Sequence, residues 1–308
     1  MLIIYGLLVL MVFLWSFSFV LADIAIEFIS PTSLALTRFL LASIAFLIVD
    51  LFLFIQRKRR SEETSETGEK NSYTKVEWIY LIIASFSGLS FFFSFQYAAI
   101  DLIGPSLPAL FVCLLAPVLI TVLALIFFNE RLTKLKIIGY AIATIGGFLL
   151  VTGGELRTLT PETPNFLGYL FALITPLLWA IYTIATKKIS KTKSNFTSLK
   201  YIAYLGTLEL LIFVVFKGEF LTFLINLVNP FVLISGIYLG IGCYVLGYFI
   251  WQKSQKELKS SKGASFLYIE PFLTLIFSVL LNRPETILLW NIVGGIIVLV
   301  AVLVINYK

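Results

Sequence analysis

The chain alternates between long apolar runs and short polar breaks, and ten of the runs reach about 20 residues, the length that a helix needs to cross a membrane. The runs are continuously apolar, without the alternation of membrane barrel strands, and therefore predict helices. The sequence predicts an all-α integral membrane protein with ten transmembrane helices. These cover residues 3–22, 31–55, 78–98, 104–128, 134–153, 166–186, 198–217, 230–252, 262–281 and 286–306.

Basic residues are unevenly distributed over the loops between these helices. With the amino terminus in the cytoplasm, 19 of the 23 Lys and Arg residues lie inside, and only Arg157, Lys217 and Arg283 lie outside. Cytoplasmic loops typically carry such an excess. We therefore expect both termini to be cytoplasmic and the protein to be located in the cell membrane. The longest polar stretch, residues 56–76, is expected to be a flexible cytoplasmic linker.

The amino-acid composition excludes several classes of function. Hydrophobic residues make up 59% of the chain, against about 45–50% in soluble domains. The chain has no His, which excludes imidazole bases and His metal ligands, and Cys113 and Cys243 lie separately in apolar runs as expected core residues. We therefore expect no cofactor and no metal. We also expect no nucleic-acid partner, because the net charge of +6 follows from the membrane topology.

The sequence indicates an internal duplication, with one five-helix repeat in residues 1–154 and a second in 155–308. An odd number of helices in each repeat places the two copies upside down relative to each other, as in many secondary transporters. Three pairs of residues occupy corresponding positions: Trp15 and Trp179, Pro117 and Pro271, and Gly139 and Gly294.

Several short motifs resemble the EamA repeat of the drug/metabolite transporter superfamily. In the first half these are residues 15–19 (WSFSF), 38–42 (RFLLA), 96–99 (QYAA), 115–118 (LAPV) and 129–133 (NERLT), and in the second half 179–182 (WAIY) and 268–271 (YIEP). The resemblance covers nearly the whole chain and departs from the family pattern at the final turn, where Pro284 separates Arg283 from Glu285. It implies a ten-helix carrier for small organic solutes, commonly amino acids or other metabolites, often in the export direction.

Three ionisable side chains lie within the predicted helices, where a charge is costly and usually functional: Arg38, Glu209 and Glu270. Arg38 is expected either to clamp carbonyl or carboxylate groups or to contact an anionic substrate group. Glu209 is either a neutral, hydrogen-bonded acid or a group in a cavity or a proton pathway. Glu270 precedes Pro271, and Pro117 lies at the equivalent point of the first repeat. These two helix breaks predict the position of the cavity, although they are also compatible with a role in packing alone.

Aromatic residues are a further part of the predicted site. Trp15 and Trp179 lie deep in their helices and, with Tyr97, Tyr182, Tyr244 and Tyr268, are candidates to line a cavity for amphipathic solutes, packing being the alternative for each. Trp78, Trp251 and Trp290 lie near helix ends and are expected at the membrane interface.

The sequence thus predicts a secondary carrier rather than an enzyme, since it lacks the motifs of known intramembrane enzymes. Its partners are expected to be a small-molecule substrate and the lipid bilayer. Multidrug or cation efflux by proton exchange and, less favoured, a channel are the alternatives. Glycine pairs at 146–147 and 294–295 predict close contacts of the fifth and tenth helices, within a monomer or a homodimer.

Overall fold

A computed structural model describes residues 2–60, 72–128, 133–152, 166–283 and 289–306, and every regular element in these ranges is helical. Within these ranges, eight helices are long and apolar enough to cross a membrane, which confirms the helical membrane class. They are α1 (Leu2–Ile26), α2 (Pro31–Arg60), α3 (Lys75–Ile103), α4 (Ser106–Phe128), α6 (Phe166–Ile189), α7 (Asn195–Phe216), α9 (Pro230–Glu257) and α10 (Ser260–Leu280).

Two further helices, α5 (Lys134–Thr152) and α11 (Leu289–Asn306), correspond to the fifth and tenth predicted spans, and a short helix, α8 (Phe220–Leu227), precedes α9. Helices α5 and α11 pack mainly against each other. A Cβ atom at Gly146 would lie 2.6 Å from Cγ2 of Ile297, so this glycine permits the close contact that was predicted.

The helix boundaries correct the predicted linker at residues 56–76. Helix α2 continues to Arg60 and α3 begins at Lys75, so both ends of the stretch are helical. Thr74 caps α3 in a capping box with Glu77, whose carboxylate accepts from the backbone N–H of Thr74 at 2.8 Å. Residues 61–71, and the predicted repeat boundary at 154/155, lie outside the described ranges.

Helices α3 and α9, the third membrane-length helix of each predicted half, both contain π-helical segments, Phe86–Ser90 in α3 and Tyr238–Tyr248 in α9. A π-helical turn contains one residue more than an α-helical turn and often marks a functional position. In α9, Gly240 packs directly against the backbone of Arg38 in α2, and a Cβ atom there would contact the Arg38 carbonyl oxygen. The two halves of the chain therefore meet through close backbone contacts at mid-helix.

The two predicted helix breaks differ in the structure. Before Pro271, α10 changes to a 3₁₀ segment at Phe266–Ile269, and the N–H of Glu270 bonds to the carbonyl of Leu267. Pro271 has no N–H to offer the carbonyl of Leu267, and the bond from Glu270 replaces that missing partner. Pro117, in contrast, lies inside α4, which continues through it, so the prediction of a break there is wrong. Neighbouring helices pack around α4, and tertiary packing of this kind retains prolines within helices.

Candidate functional site

A cavity lies in the middle of the bundle, between helices of both halves. Its walls come from α1, α2, α3 and α4 on one side and from α6, α9 and α10 on the other. The residues that line it are Trp15, Ser18, Phe19, Arg38, Phe92, Phe93, Gln96, Val112, Trp179, Tyr248, Leu267 and Glu270. Four of the residues predicted from the sequence, Trp15, Arg38, Trp179 and Glu270, thus converge on one space.

Arg38 is a buried cation, with 2% of its surface exposed. Its Nη1 donates to the hydroxyl of Tyr97 at 3.0 Å, and its guanidinium carbon lies 4.0 Å from the ring centroid of Phe93. Its Nε has no hydrogen-bond partner, and no described carboxylate forms an ion pair with it. A hydroxyl and an aromatic face compensate the charge only in part, so Arg38 presents an unneutralised cation to the cavity.

Glu270 is the acidic counterpart, with 3% of its surface exposed. Its Oε2 accepts a hydrogen bond from Sγ of Cys113 at 3.3 Å, and a thiol is a weak donor. Within the described ranges no Lys or Arg lies in ion-pair contact with Glu270, Arg38 included. A basic and an acidic side chain therefore line the same cavity without pairing with each other, which leaves both available to a ligand.

Further polar atoms of the cavity lining lack hydrogen-bond partners among the described residues. They are Oε1 of Gln96, an acceptor, and Nε1 of Trp179, a donor. Buried polar groups are ordinarily hydrogen-bonded, and unsatisfied ones call for a specific explanation. A polar ligand in this cavity would supply partners for both atoms.

An aromatic cluster borders the cavity where the two halves meet. Trp15 and Trp179, predicted to be repeat equivalents, pack edge to face with ring centroids 5.3 Å apart. The Nε1 of Trp15 donates to the carbonyl oxygen of Cys243 at 2.9 Å. Trp251, expected at the membrane interface, is fully buried in this cluster instead, and its Nε1 donates to Oγ1 of Thr183 at 3.2 Å. The prediction for Trp251 is wrong because the indole faces the bundle interior, where it finds ring partners and an acceptor.

The four predicted tyrosines lie around the cavity but not in its lining. Tyr97 holds Arg38, and Tyr182 stacks on Trp179 with centroids 5.0 Å apart. Tyr244 donates to the carbonyl of Leu199 at 2.8 Å, while Tyr268 belongs to a separate apolar cluster beside α5 and α11. Their placement favours the packing alternative, with Tyr97 positioning the cavity cation.

Glu209 also lies outside the cavity, on α7, where two serine hydroxyls of α3 donate to its carboxylate. Glu209 is therefore hydrogen-bonded at both carboxylate oxygens, and it is not a residue of the cavity lining.

Sequence reasoning did not assign Phe92, Phe93, Gln96 and Tyr248 to the site. Gln96 carried a usable signal, since an uncharged amide inside an apolar span needs a partner. The aromatic residues carried none, because 16% of the chain is aromatic and helical periodicity does not separate cavity faces from packing faces.

The architecture and the cavity define a multi-pass helical membrane protein with a charged, aromatic-walled space between two halves, the arrangement of a membrane transporter. The sequence profile of the EamA-like transporter family matches residues 2–152 and 166–307. The chain belongs to this family, which confirms the resemblance to the EamA repeat and the two-repeat architecture.

Relatives agree with this assignment. An uncharacterized transporter of Archaeoglobus fulgidus is 26% identical, with 96% of this chain and 94% of that protein covered. Uncharacterized transporter YyaM of Bacillus subtilis is 25% identical, with 93% and 88% covered. A solved crystal structure is similar over 97% of this chain and 95% of its own, with a TM-score of 0.67; at 17% identity this shows the fold alone.

Proposed function

We propose that the chain is a secondary carrier that moves small zwitterionic metabolites, amino acids or similar amphipathic solutes, out of the cell by alternating access. The observation that carries this proposal is the presence of one basic and one acidic side chain, neither of them in an ion pair, in a single buried cavity of the described structure. A zwitterion offers a carboxylate for Arg38 and an ammonium group for Glu270. It would neutralise both buried charges at once.

The walls of the cavity suit the apolar part of such a solute. Trp15, Trp179 and Phe92 offer flat aromatic surfaces, and Gln96 adds an amide acceptor. Ligand sites of this kind combine apolar walls with a few placed polar groups. The buried cation also argues against the alternative of multidrug or cation efflux, because a ligand carrying only positive charge would be repelled by Arg38.

Alternating access is supported by the position of the cavity between two related halves. We propose ten membrane spans, with α5 and α11 as the fifth and tenth, in two inverted repeats with both termini in the cytoplasm. An odd number of spans in each half and the excess of Lys and Arg in the loops assigned to the cytoplasm support this arrangement. A carrier needs a site that is exposed to one side at a time, and a site between two halves that rock against each other meets that need.

Ligand analogues test the charge requirement. A panel of amino acids with apolar side chains is screened for ligand-induced thermal stabilisation of the purified protein, and each binder is compared with its amide and its N-acetyl derivative. We expect the zwitterion to stabilise the protein and both derivatives to lose the effect, because each leaves one buried charge unpaired. Equal stabilisation by the amide or the N-acetyl form would contradict the two-charge site.

A further inference from the structure

Glu209 is held between two turns of α3 by a pair of serine hydroxyls. Oγ of Ser85 donates to Oε1 and Oγ of Ser90 donates to Oε2, both at 2.6 Å. Ser85 immediately precedes the π segment Phe86–Ser90, and Ser90 is its last residue. The carboxylate on α7 thus bridges the two ends of the π segment on α3.

The surroundings of Glu209 are otherwise uncharged. Helix α7 packs against α2, α3, α8 and the C-terminal end of α9. The charged and titratable side chains of these helices bind other partners. On α2, Asp50 accepts from Lys200 and Arg38 donates to Tyr97, and on α3, Glu77 accepts from Thr192. On α9, Tyr244 and Tyr248 donate to backbone carbonyls, and Lys253 pairs with Glu257. In the described part of the chain Glu209 therefore has two hydroxyl donors and no counter-ion.

The opposite side of the π segment reaches the cavity. The carbonyl of Gly88 accepts from the hydroxyl of Tyr248 at 3.1 Å, and Tyr248 lines the cavity. Phe92, Phe93 and Gln96, which follow the π segment on α3, line it too. On the α7 side, a Cβ atom at Gly206 would lie 2.7 Å from Cδ2 of Leu89, so α7 is in direct contact with the segment. One continuous set of contacts joins Glu209 to the cavity wall.

The protonation state of Glu209 determines which hydrogen bonds Ser85 and Ser90 can form with it. An ionised carboxylate accepts both hydroxyls in strong, charge-assisted hydrogen bonds. A protonated carboxyl keeps one carbonyl acceptor and becomes a donor at the other oxygen, so one serine must accept from it and turn its own hydrogen to a backbone carbonyl, which for Ser85 is that of Ile82 at 2.9 Å. If the π segment then relaxes to α-helix, the removal of one residue from the turn rotates the following residues by about 100°. Such a rotation would replace the side chains that α3 directs into the cavity.

We propose that Glu209, Ser85 and Ser90 form a proton-binding site, separate from the solute cavity, whose occupancy sets the register of the α3 π segment and thereby the cavity wall. The binding of the proton rests on the contacts of this cluster. Its use in coupling solute movement to a proton gradient rests on the proposed carrier function.

Amide hydrogen exchange tests the site without any transported solute. The full-length protein in lipid nanodiscs is labelled at neutral and at acidic pH, and exchange of the amides of residues 86–93 is normalised to the intrinsic rate at each pH. We expect about tenfold faster normalised exchange at acidic pH in the wild type, the factor corresponding to the loss of one charge-assisted hydrogen bond. Glu209→Gln should exchange at the fast rate at both pH values.

Further variants keep the test decisive. Ser90→Ala changes little volume and should also remove the pH dependence, while Glu257→Gln, at an exposed acid of α9, should retain it. Retention of the pH dependence in Glu209→Gln and Ser90→Ala, or its loss in Glu270→Gln instead, would overturn the proposal. A wild type whose normalised exchange is the same at both pH values would also overturn it. These outcomes are independent of the zwitterion assay, so failure of the zwitterion proposal leaves the proton-binding site standing and removes only its coupling role.

Discussion

The close approach of α2 and α9 at Gly240 gives a sharp stability prediction. A Cβ atom at Gly240 would contact the carbonyl oxygen of Arg38 and lie 3.2 Å from the backbone nitrogen of Ala42. Both neighbours are backbone atoms of a helix, which cannot move aside as a side-chain end can. Gly240→Ala must therefore separate the two helices or shift α2 along its axis.

The expected magnitude follows from the cost of overpacking. Inserting a methyl group into a packed interior costs about 1–3 kcal/mol, and the helix propensity gained from Gly to Ala returns only about 0.5–1 kcal/mol. Gly242 is a matched control on the same helix, since a Cβ there has its nearest neighbour at 3.8 Å, in the ring of Tyr238. Gly242→Ala should leave stability unchanged or raise it.

Thermal unfolding of the purified variants in one detergent measures the difference. We expect Gly240→Ala to unfold at a clearly lower temperature than the wild type and Gly242→Ala to unfold at the same temperature or higher. Because the clash involves the Arg38 backbone, Gly240→Ala should also weaken binding of the zwitterionic ligand. Equal stability of the two variants would refute the backbone contact between α2 and α9.

Three further predictions follow from the site and the topology. The Arg38→Met variant should be as thermally stable as the wild type or more so, because the substitution removes a buried charge that has no counter-ion. It should also abolish ligand-induced stabilisation. A large loss of stability would show that the guanidinium is compensated within the protein. Trp251→Phe should lower the free energy of unfolding by about 1 kcal/mol through loss of the hydrogen bond to Thr183, measured by denaturation, whereas an unchanged value would place the indole outside the cluster. In intact cells, an impermeant thiol reagent should label Val228→Cys and not Lys191→Cys, and the reverse result would invert the proposed topology.

The class of fold was predictable from the sequence because the membrane imposes length and composition on every spanning helix. The assignment of Trp15 and Trp179 to the cavity lining was predictable too, because both lie deep in their helices at corresponding positions of the two repeats. The position of Arg38 and Glu270 inside their helices followed from counting residues, whereas their convergence on one cavity became visible only in the structure.

Other features depend on which way a helix faces, and local sequence does not determine that. Trp251 lies near a helix end, where indoles usually face the interface, yet tertiary contacts turn it inward. Glu209 has the depth of a cavity residue but lies on a face of α7 directed at α3. The π segments have no local sequence signature, and Pro117 shows that a proline alone does not establish a break.

Counterflow in proteoliposomes tests the central claim, a carrier with one zwitterion site between its two halves, most directly. Vesicles containing the purified protein are preloaded with an unlabelled amino acid identified by the thermal screen, and uptake of the radiolabelled form is followed. We predict saturable uptake that is stimulated by the unlabelled amino acid inside and lost in Glu270→Gln and in Arg38→Met. Uptake that is linear in concentration and insensitive to the preload, or that persists in both variants, would contradict the account.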